Sequence, residues 1–485
     1  MGVTIGGEFQ KWYGNQEYIV NWENDGYEIM NYASMLYKNA TRTIKNISYY
    51  FKEGITYSFV SSSKFAVRYT PKGFLFDVGG SSAFPKKEDL LYLVAFLNSN
   101  IAFDLLKIVA PTINFQVGDL KALPILKPKS LILKSKIDKL TQECIDISKE
   151  EWDSRETSWD FKTNELLRLK TDSQKLEDAY NRYCEYWREK LYKLHRNEEE
   201  LNRLFIEIYE LQDELTPDVP LEDITILKKE AKIVDGKLVF DKKEIIKQFI
   251  SYGVGVMFGR YSLDHEGLHI ADMGVGIEEA NTKFGIKEPT FAIDEDNIIP
   301  VLEDNFFEDD IVQRFKEFLK ASFGEQHFEE NLRFIEDALG KSIRKYFVKD
   351  FYEDHIKRYK KRPIYWMIAS PNKSFQALLY MHRYQPDIFA RAQTLYLHEY
   401  ITKLESLIAR NQEILNSDST STSQKRAAQK EIERAKKIID ELMEFDREKF
   451  DHFAKNSITI DLDDGVKVNY CKFRDILYPI KGLCK

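Results

Sequence analysis

The stretch that decides the fold runs from Gly6 to Pro124. It opens with GGEFQKWYGNQEYIVNWENDG (6–26), continues through SSSKFAVRYTPKGFLFDVGGSSAFP (61–85) and closes with LLYLVAFLNSNIAFDLLKIVAPTINFQVGDLKALPI (90–125). ITYSFVSS and FAVRYT alternate in polarity and are rich in β-branched and aromatic residues, which predicts strands. Thr70-Pro71-Lys72-Gly73 predicts the turn after the second, with Pro fixing φ and Gly permitting a positive value. Leu90, Leu91, Val94, Leu97, Ile101 and Leu105 fall on one stripe, so Lys87 to Val109 reads as one helix, ended by Pro111.

Outward from this stretch the texture changes. From Leu131 to Leu215 there is almost no Gly or Pro and much Glu, Lys and Leu, which predicts long helices with a turn at Thr157-Ser158-Trp159. Leu201, Leu204, Phe205, Ile208 and Leu211 share one helical face, and Thr216-Pro217 reads as a boundary. LVFDKKEIIKQFISYGVGVMFGRY predicts a strand end and a buried helix. DIVQRFKEFLKASFG and EENLRFIEDALG predict amphipathic helices, the latter capped by Gly340. Residues 386–456 read as a helical hairpin with NSDSTSTSQ (416–424) at its tip, and ITIDLDDGVKVNY as a β-hairpin around Asp464-Gly465. The fold class expected is α+β. Its parts are a mixed α/β domain at 1–128, a helical spacer at 129–216, a mixed α/β support at 217–385, the hairpin at 386–456 and a β-hairpin at 457–485.

The 485 residues carry 71 Lys/Arg against 79 Asp/Glu, a net charge of −8. Residues 1–140 hold 17 basic and 12 acidic side chains, about +5, leaving −13 for the remainder. A mildly basic head on an acidic body suits a local nucleic-acid surface. Cys144, Cys184, Cys471 and Cys484 show no paired spacing, which predicts free thiols in a reducing cytoplasm and neither a disulfide framework nor a zinc knuckle. No apolar run approaches the roughly 20 residues that span a bilayer, so no membrane partner is expected.

Aromatic faces, small hydroxyls and scattered cations are the residue types that grip phosphates and read base edges. In KWYGN, Lys11 suits a phosphate, Asn15 a base edge, and Trp12 or Tyr13 stacking; the other reading is a core Trp and Tyr beside a glycine turn. Ser62, Lys64, Arg68 and Tyr69 repeat that logic on a strand, where Lys64 and Arg68 share a face. Lys72, Ser81 and Ser82 sit on turns that approach a backbone closely, and Asn114 and Gln116 carry amides able to pair with bases. A second basic cluster, KSIRKYFVKDFYEDHIKRYKKRP (341–363), offers Arg344, Lys345, Arg358, Lys360, Lys361 and Arg362 as a phosphate ridge, or else as a solvated helix face neutralised by Asp350, Glu353 and Asp354. Gly79-Gly80-Ser81-Ser82 lacks the Lys and following helix of a nucleotide loop. GVGVMFG sits inside an apolar helix pattern. His265-Glu266-Gly267-Leu268-His269 satisfies H-E-x-x-H, but its internal glycine and polar flank predict a turn rather than a zinc helix.

KWYGNQEYIVNWENDG, FKEGITYSFVSSSKFAVRYTPKGFLFDVGGSSAFP and TINFQVGDLKALPI resemble the target-recognition region of adenine-specific DNA methyltransferases. The type is that of BREX/Pgl phage-defence systems (PglX-type), related to fused type IIG restriction–modification enzymes. WDSRETSWDF, GVGVMFGRYSLD, FFEDDIVQRFKEFLKASFGE, YFVKDFYEDHIKRYKKRPIYWMIAS, ALLYMHRY and IDLDDGVKVNY extend the resemblance over almost the whole chain. It implies double-stranded DNA as partner and methyl transfer from S-adenosylmethionine to a flipped adenine by the full enzyme. Members of the family carry an Asn-Pro-Pro-Tyr motif and a glycine-rich cofactor loop upstream, whereas this chain has no Pro-Pro dipeptide. The resemblance therefore implies a C-terminal half with no catalytic residue, cofactor or metal of its own, served by a catalytic domain upstream or on another chain. Two other readings stay open: a helical scaffold for other defence-system proteins, and a metallohydrolase at His265.

Overall fold

The computed structural model describes residues 1–60, 64–109 and 114–484. The chain forms two compact units, one of residues 1–161 and 181–241, the other of 162–180 and 242–485. The class is α+β, with long helices and small sheets.

The first unit holds three small sheets. β1 (Gly2–Thr4) lies between β2 (Tyr18–Ile19), antiparallel, and β5 (Phe74–Phe76), parallel. β3 (Gly54–Ser58) lies between β4 (Val67–Thr70) and β6 (Gly80–Ala83), both antiparallel. β7 (Ala231–Val234) and β8 (Lys237–Phe240) form a hairpin, whose turn residues Asp235 and Gly236 both take positive φ, as a two-residue loop of matched twist requires. Against these pack α2 (Lys87–Leu97), α4 (Leu131–Asp153) and α5 (Leu176–Tyr209). Phe205 of α5 meets Tyr92 and Phe96 of α2 at 5.4 and 5.7 Å, and Leu201, Leu204 and Ile208 are buried beside it as the stripe predicted.

The helix expected over 87–109 is two helices, α2 and α3 (Asn100–Val109), bent by 76° at Asn98-Ser99. Asn98 is taken by the neighbouring strand. Its Oδ1 accepts from Val67 N and its Nδ2 donates to Val67 O, both at 3.0 Å, while Ser99 Oγ accepts from Ala102 N to start α3. Two polar side chains with better uses than a helix interior break the stripe. Pro111 lies outside the described residues. Among the described residues no single helix is long and apolar enough to cross a membrane.

The second unit is built on β9 (Ile299–Pro300), β10 (Tyr365–Ala369) and β11 (Gln376–Tyr380), in the order β10-β11-β9 and all antiparallel. α6 (Lys242–Met257) is buried along its second half. Gly253 and Gly255 admit Phe318 and Tyr261 so closely that a Cβ would lie 2.7 and 2.5 Å from their rings. α7 (Ile311–Phe323) and α8 (Phe328–Leu339) match the predicted amphipathic helices, α8 ending on Gly340 at φ +69. α9 (His398–Asn416) and α10 (Thr422–Phe445) form the predicted hairpin, and α10 starts on a Ser421–Gln424 capping box.

Two expectations are corrected here. The β-hairpin at 457–485 is instead a 3-10 turn (Leu462–Asp464) and a helix, α11 (Gly465–Lys472). A tight two-residue hairpin turn needs positive φ at its first central residue, but Asp464 has φ −62, and Tyr470 and Phe473 sink into the core at helical spacing. Cys471 and Cys484 are joined in a disulfide across 13 residues, whereas Cys144 and Cys184 are buried thiols. The spacing carried no signal, because folding of the C-terminal segment brings the pair together.

The predicted boundaries also shift. Residues 129–161 and 181–216 share a unit with the N-terminal strands, and so does 217–241. Residues 386–485 share the core of the second unit, where Tyr384, Phe389, Phe450, Phe453 and Phe473 pack on Trp366 and Ile368.

Candidate nucleic-acid interface

KWYGN folds inward. Trp12 has φ +69, an outlier for a bulky residue, and is 1% exposed. It is held there by Trp12 N to Val67 O (3.0 Å), Tyr69 N to Trp12 O (2.8 Å) and its indole Nε1 to Glu198 (2.7 Å). Lys11 Nζ reaches the same buried carboxylate at 2.6 Å. Tyr13 is buried, which pushes its phenol up to about 12, and Asn15 donates to Glu8 O at 3.0 Å. Arg68 is 1% exposed. One guanidinium nitrogen reaches Ser58 Oγ at 3.4 Å, Nε and Nη2 have no partner, and burial pulls the group down to about 10. Lys11, Trp12, Tyr13 and Arg68 are thus buried inside the unit, whereas Asn15 is half-buried.

The other predicted residues are dispersed. Lys64 pairs with Asp223, and Tyr69 donates to Glu53 at 2.6 Å. Ser81 and Ser82 donate to nearby carbonyls, Lys72 is exposed on its turn, and Gln116 caps a short helix with Asp119. Asn114 forms an isolated bridge with Val60, and Ser62 lies outside the described residues. In the second unit Arg344 binds Asp310 through both oxygens at 2.8 and 3.0 Å, Arg358 approaches Glu244 at 3.6 Å, and Lys361 donates to Lys481 O. Lys345, Lys360 and Arg362 are exposed.

What the sequence reading missed is the excursion between β2 and β3. α1 (Glu23–Tyr37) becomes regular at Tyr27, because Asn24, Asp25 and Gly26 take positive φ. It exposes Tyr27, Tyr32, Met35, Leu36 and Tyr37. Residues 38–52 follow with Lys38, Arg42, Lys45 and Lys52 and not one Asp or Glu. All four cations are exposed, and none has a carboxylate partner among the described residues. Arg42 lies over the Tyr37 ring at 5.5 Å, and Lys52 over Tyr49 at 5.0 Å. Lys38, Asn46 and Phe51 take left-handed φ, and the segment is tied down where Tyr50 packs on Trp22 and Phe76, each at 5.2 Å. Cations interleaved with open tyrosines are the residue types suited to phosphates and to stacking on bases. The available signal was fifteen residues free of acid in an acidic chain.

No family model matches the chain. It is 37% identical over 504 residues to the adenine-specific methyltransferase BrxX of Escherichia coli O9:H4 (strain HS), across 99% of this chain and 40% of that protein. It is 38% identical over 494 residues to the adenine-specific methyltransferase PglX of Lacticaseibacillus casei (strain Zhang), across 98% of this chain and 39% of that protein. The chain is similar to adenine-specific methyltransferases. It spans about two fifths of the length of these relatives.

The H-E-x-x-H stretch is irregular, as its glycine predicted. His265 Nε2 lies 2.8 Å from His269 Nδ1, and His269 Nε2 lies 3.1 Å from Asn281 Oδ1. His265 also stacks on Phe284 at 3.8 Å. Burial pulls His269 down, and the neighbouring His265 adds to this.

Proposed function

We propose that this chain recognises DNA for an adenine-specific methyltransferase of the BREX/Pgl phage-defence type. The observation that carries the reading is the acid-free segment 38–52, whose four cations have no carboxylate partner among the described residues and stand beside exposed tyrosines. The names of the relatives supply the rest: a chain alike over its whole length to part of two adenine methyltransferases serves the same reaction. On this reading the segment 38–52 holds the duplex by its phosphates, and loops of the first unit read the site. S-adenosylmethionine and the methyl-transfer chemistry belong to a catalytic domain outside this chain.

The test is fluorescence anisotropy of the chain with a random-sequence duplex over a salt series, followed by selection from a randomised duplex pool. The expected result is binding that weakens steeply with salt and an enriched sequence in the pool. Binding without enrichment removes the sequence-reading role. No duplex binding at low salt overturns the proposal in favour of the helical scaffold for other defence-system proteins.

A further inference from the structure

In the second unit the stretch after α11 closes an open sheet edge. β10 is an outer strand in the order β10-β11-β9, so one side of its backbone faces away from the sheet. The stretch after α11 lies along that side. Ala369 N donates to Ile476 O at 3.0 Å and Tyr478 N to Met367 O at 2.8 Å. Ile368 and Leu477 stand opposite each other between them as an antiparallel bridge. An uncovered edge strand is a template for pairing with other chains, and a covering segment removes it.

The cover is firmly held at its root and thinly held beyond it. Ile476 and Leu477 are buried, the Tyr470 hydroxyl donates to Tyr478 O at 2.6 Å, and the Tyr478 hydroxyl donates to Glu353 at 2.7 Å. Past Tyr478 the chain surfaces: Pro479, Lys481 and Gly482 are exposed, and Lys361 Nζ donates to Lys481 O at 3.1 Å. Leu483 then returns to the core, and Cys484 closes a disulfide onto Cys471 of α11, 13 residues back. The bond turns the covering segment into a ring fastened at both ends to one helix. Both of its cysteines are half-buried at the surface, within reach of a small thiol. Cys144 and Cys184 are buried, and burial pushes the Cys144 thiol well above its ordinary range, so it makes a poor rival nucleophile.

We propose that the Cys471–Cys484 disulfide is a redox-sensitive clasp, which holds the C-terminal segment over the β10 edge and loosens it when reduced. The reductant is a dithiol. One of its thiolates attacks a cysteine sulfur and breaks the Sγ–Sγ bond, giving a mixed disulfide and a cysteine thiolate that takes up a proton. Its second thiolate displaces the other cysteine and closes the reductant's own disulfide, so two electrons and two protons pass to the protein. Opening the ring restores the conformational freedom that the cross-link had removed from the detached segment.

The test compares the full chain after oxidised glutathione with the same chain after dithiothreitol. Under denaturing conditions the oxidised chain should show two thiols and no glutathione adduct, and the reduced chain all four. Hydrogen exchange read by mass spectrometry should be roughly tenfold to a hundredfold faster in the reduced chain for peptides carrying Ala369 and Tyr478, the scale expected for a ring of this size. Exchange in β11, the next strand in, should stay as it was, which separates release of the segment from unfolding of the unit. Cys484→Ser should exchange like the reduced chain in both buffers; where that variant fails to fold, the unsubstituted chain in the two buffers still decides. Four thiols or a glutathione adduct after oxidation overturns the proposal, and so does equal exchange at Ala369 and Tyr478 in the two states. The clasp lies in the second unit and the segment 38–52 in the first, so neither result depends on duplex binding.

Discussion

Two basic segments invite the same reading and differ in how far their charges are paired within the protein. Residues 341–363 hold the denser cluster, in which Lys341 is answered by Asp350, Arg344 by Asp310, Lys349 by Glu303 and Arg358 by Glu244, while Lys345, Lys360, Lys361 and Arg362 are exposed. Residues 38–52 hold only four cations, and no carboxylate answers any of them among the described residues. A polyanion is drawn to charge that the protein has left over, not to charge already spent on its own carboxylates. Counter-ions brought in from 34, 46 and 114 residues away decide the matter. A count of Lys and Arg along the sequence cannot weigh them.

The largest effect should come from breaking the best-made pair of the ridge. Asp310 is almost wholly buried, caps α7 through Val312 N, and is held by both oxygens on Arg344. Arg344→Ala leaves that carboxylate buried without its cation, a loss of about 3–5 kcal/mol. Urea unfolding should show the second unit melting earlier while the salt slope of duplex binding stays as it was. A reduced slope in a folded Arg344→Ala protein would place phosphate on the ridge after all.

Arg68 gives the next effect, with the opposite sign. Burial lowers its pKa from the ordinary guanidinium range to about 10, so the unfolded chain holds the proton more tightly than the folded one. The penalty is therefore fully present below about pH 10 and is relieved as pH rises above that value. Arg68→Met keeps the length of the side chain and removes the charge, and should stabilise the first unit by about 1–3 kcal/mol at pH 7. A lower melting temperature for Arg68→Met shows instead that the guanidinium has an unseen counter-ion, and reopens Arg68 as a DNA contact.

Arg42→Ala and Lys45→Ala sharpen the other side of the comparison. Each should lower the salt slope of duplex binding by about one unit and cost about 1 kcal/mol of affinity at low salt. Thermal stability should not move, because neither side chain pairs with a carboxylate among the described residues. If both variants bind as tightly as the parent at every salt concentration, the exposed tyrosines and cations of 27–52 cover something other than DNA.

Local signals were legible in the sequence and long-range ones were not. The amphipathic helices, the Gly340 cap and the hairpin of α9 and α10 all follow from residues within a few positions of each other. KWYGN was read for its residue types, but its fate was set by Glu198, 187 residues away, which claims both Lys11 and Trp12. The break at Asn98 depends on Val67, and the disulfide on how the last 20 residues fold back. In the candidate interface the useful signal was an absence, the missing Asp and Glu of 38–52, which a search for positive motifs passes over. The exposure of Tyr27 and Tyr32 had no signal, since tyrosines at helical spacing read equally as core.

The smallest effect is expected at Lys349, and it tests the comparison most directly. Lys349 and Arg42 are both exposed cations among aromatic neighbours, and a sequence-level view treats them alike. They differ in one respect: Lys349 Nζ sits 2.8 Å from Glu303, whereas Arg42 faces only the Tyr37 ring. Both members of the Lys349–Glu303 pair are more than half exposed, so the pair itself contributes at most about 1 kcal/mol to stability. A phosphate approaching Lys349 would have to displace Glu303 or bind beside it, and the attraction and repulsion nearly cancel. Lys349→Ala should therefore change neither the melting temperature nor duplex affinity by more than about 0.5 kcal/mol. Glu303→Ala gives the converse reading: with the carboxylate gone, Lys349 becomes an unanswered cation, and duplex affinity should rise slightly while the salt slope steepens. A Lys349→Ala variant that loses as much affinity as Arg42→Ala would show that pairing does not separate the two segments.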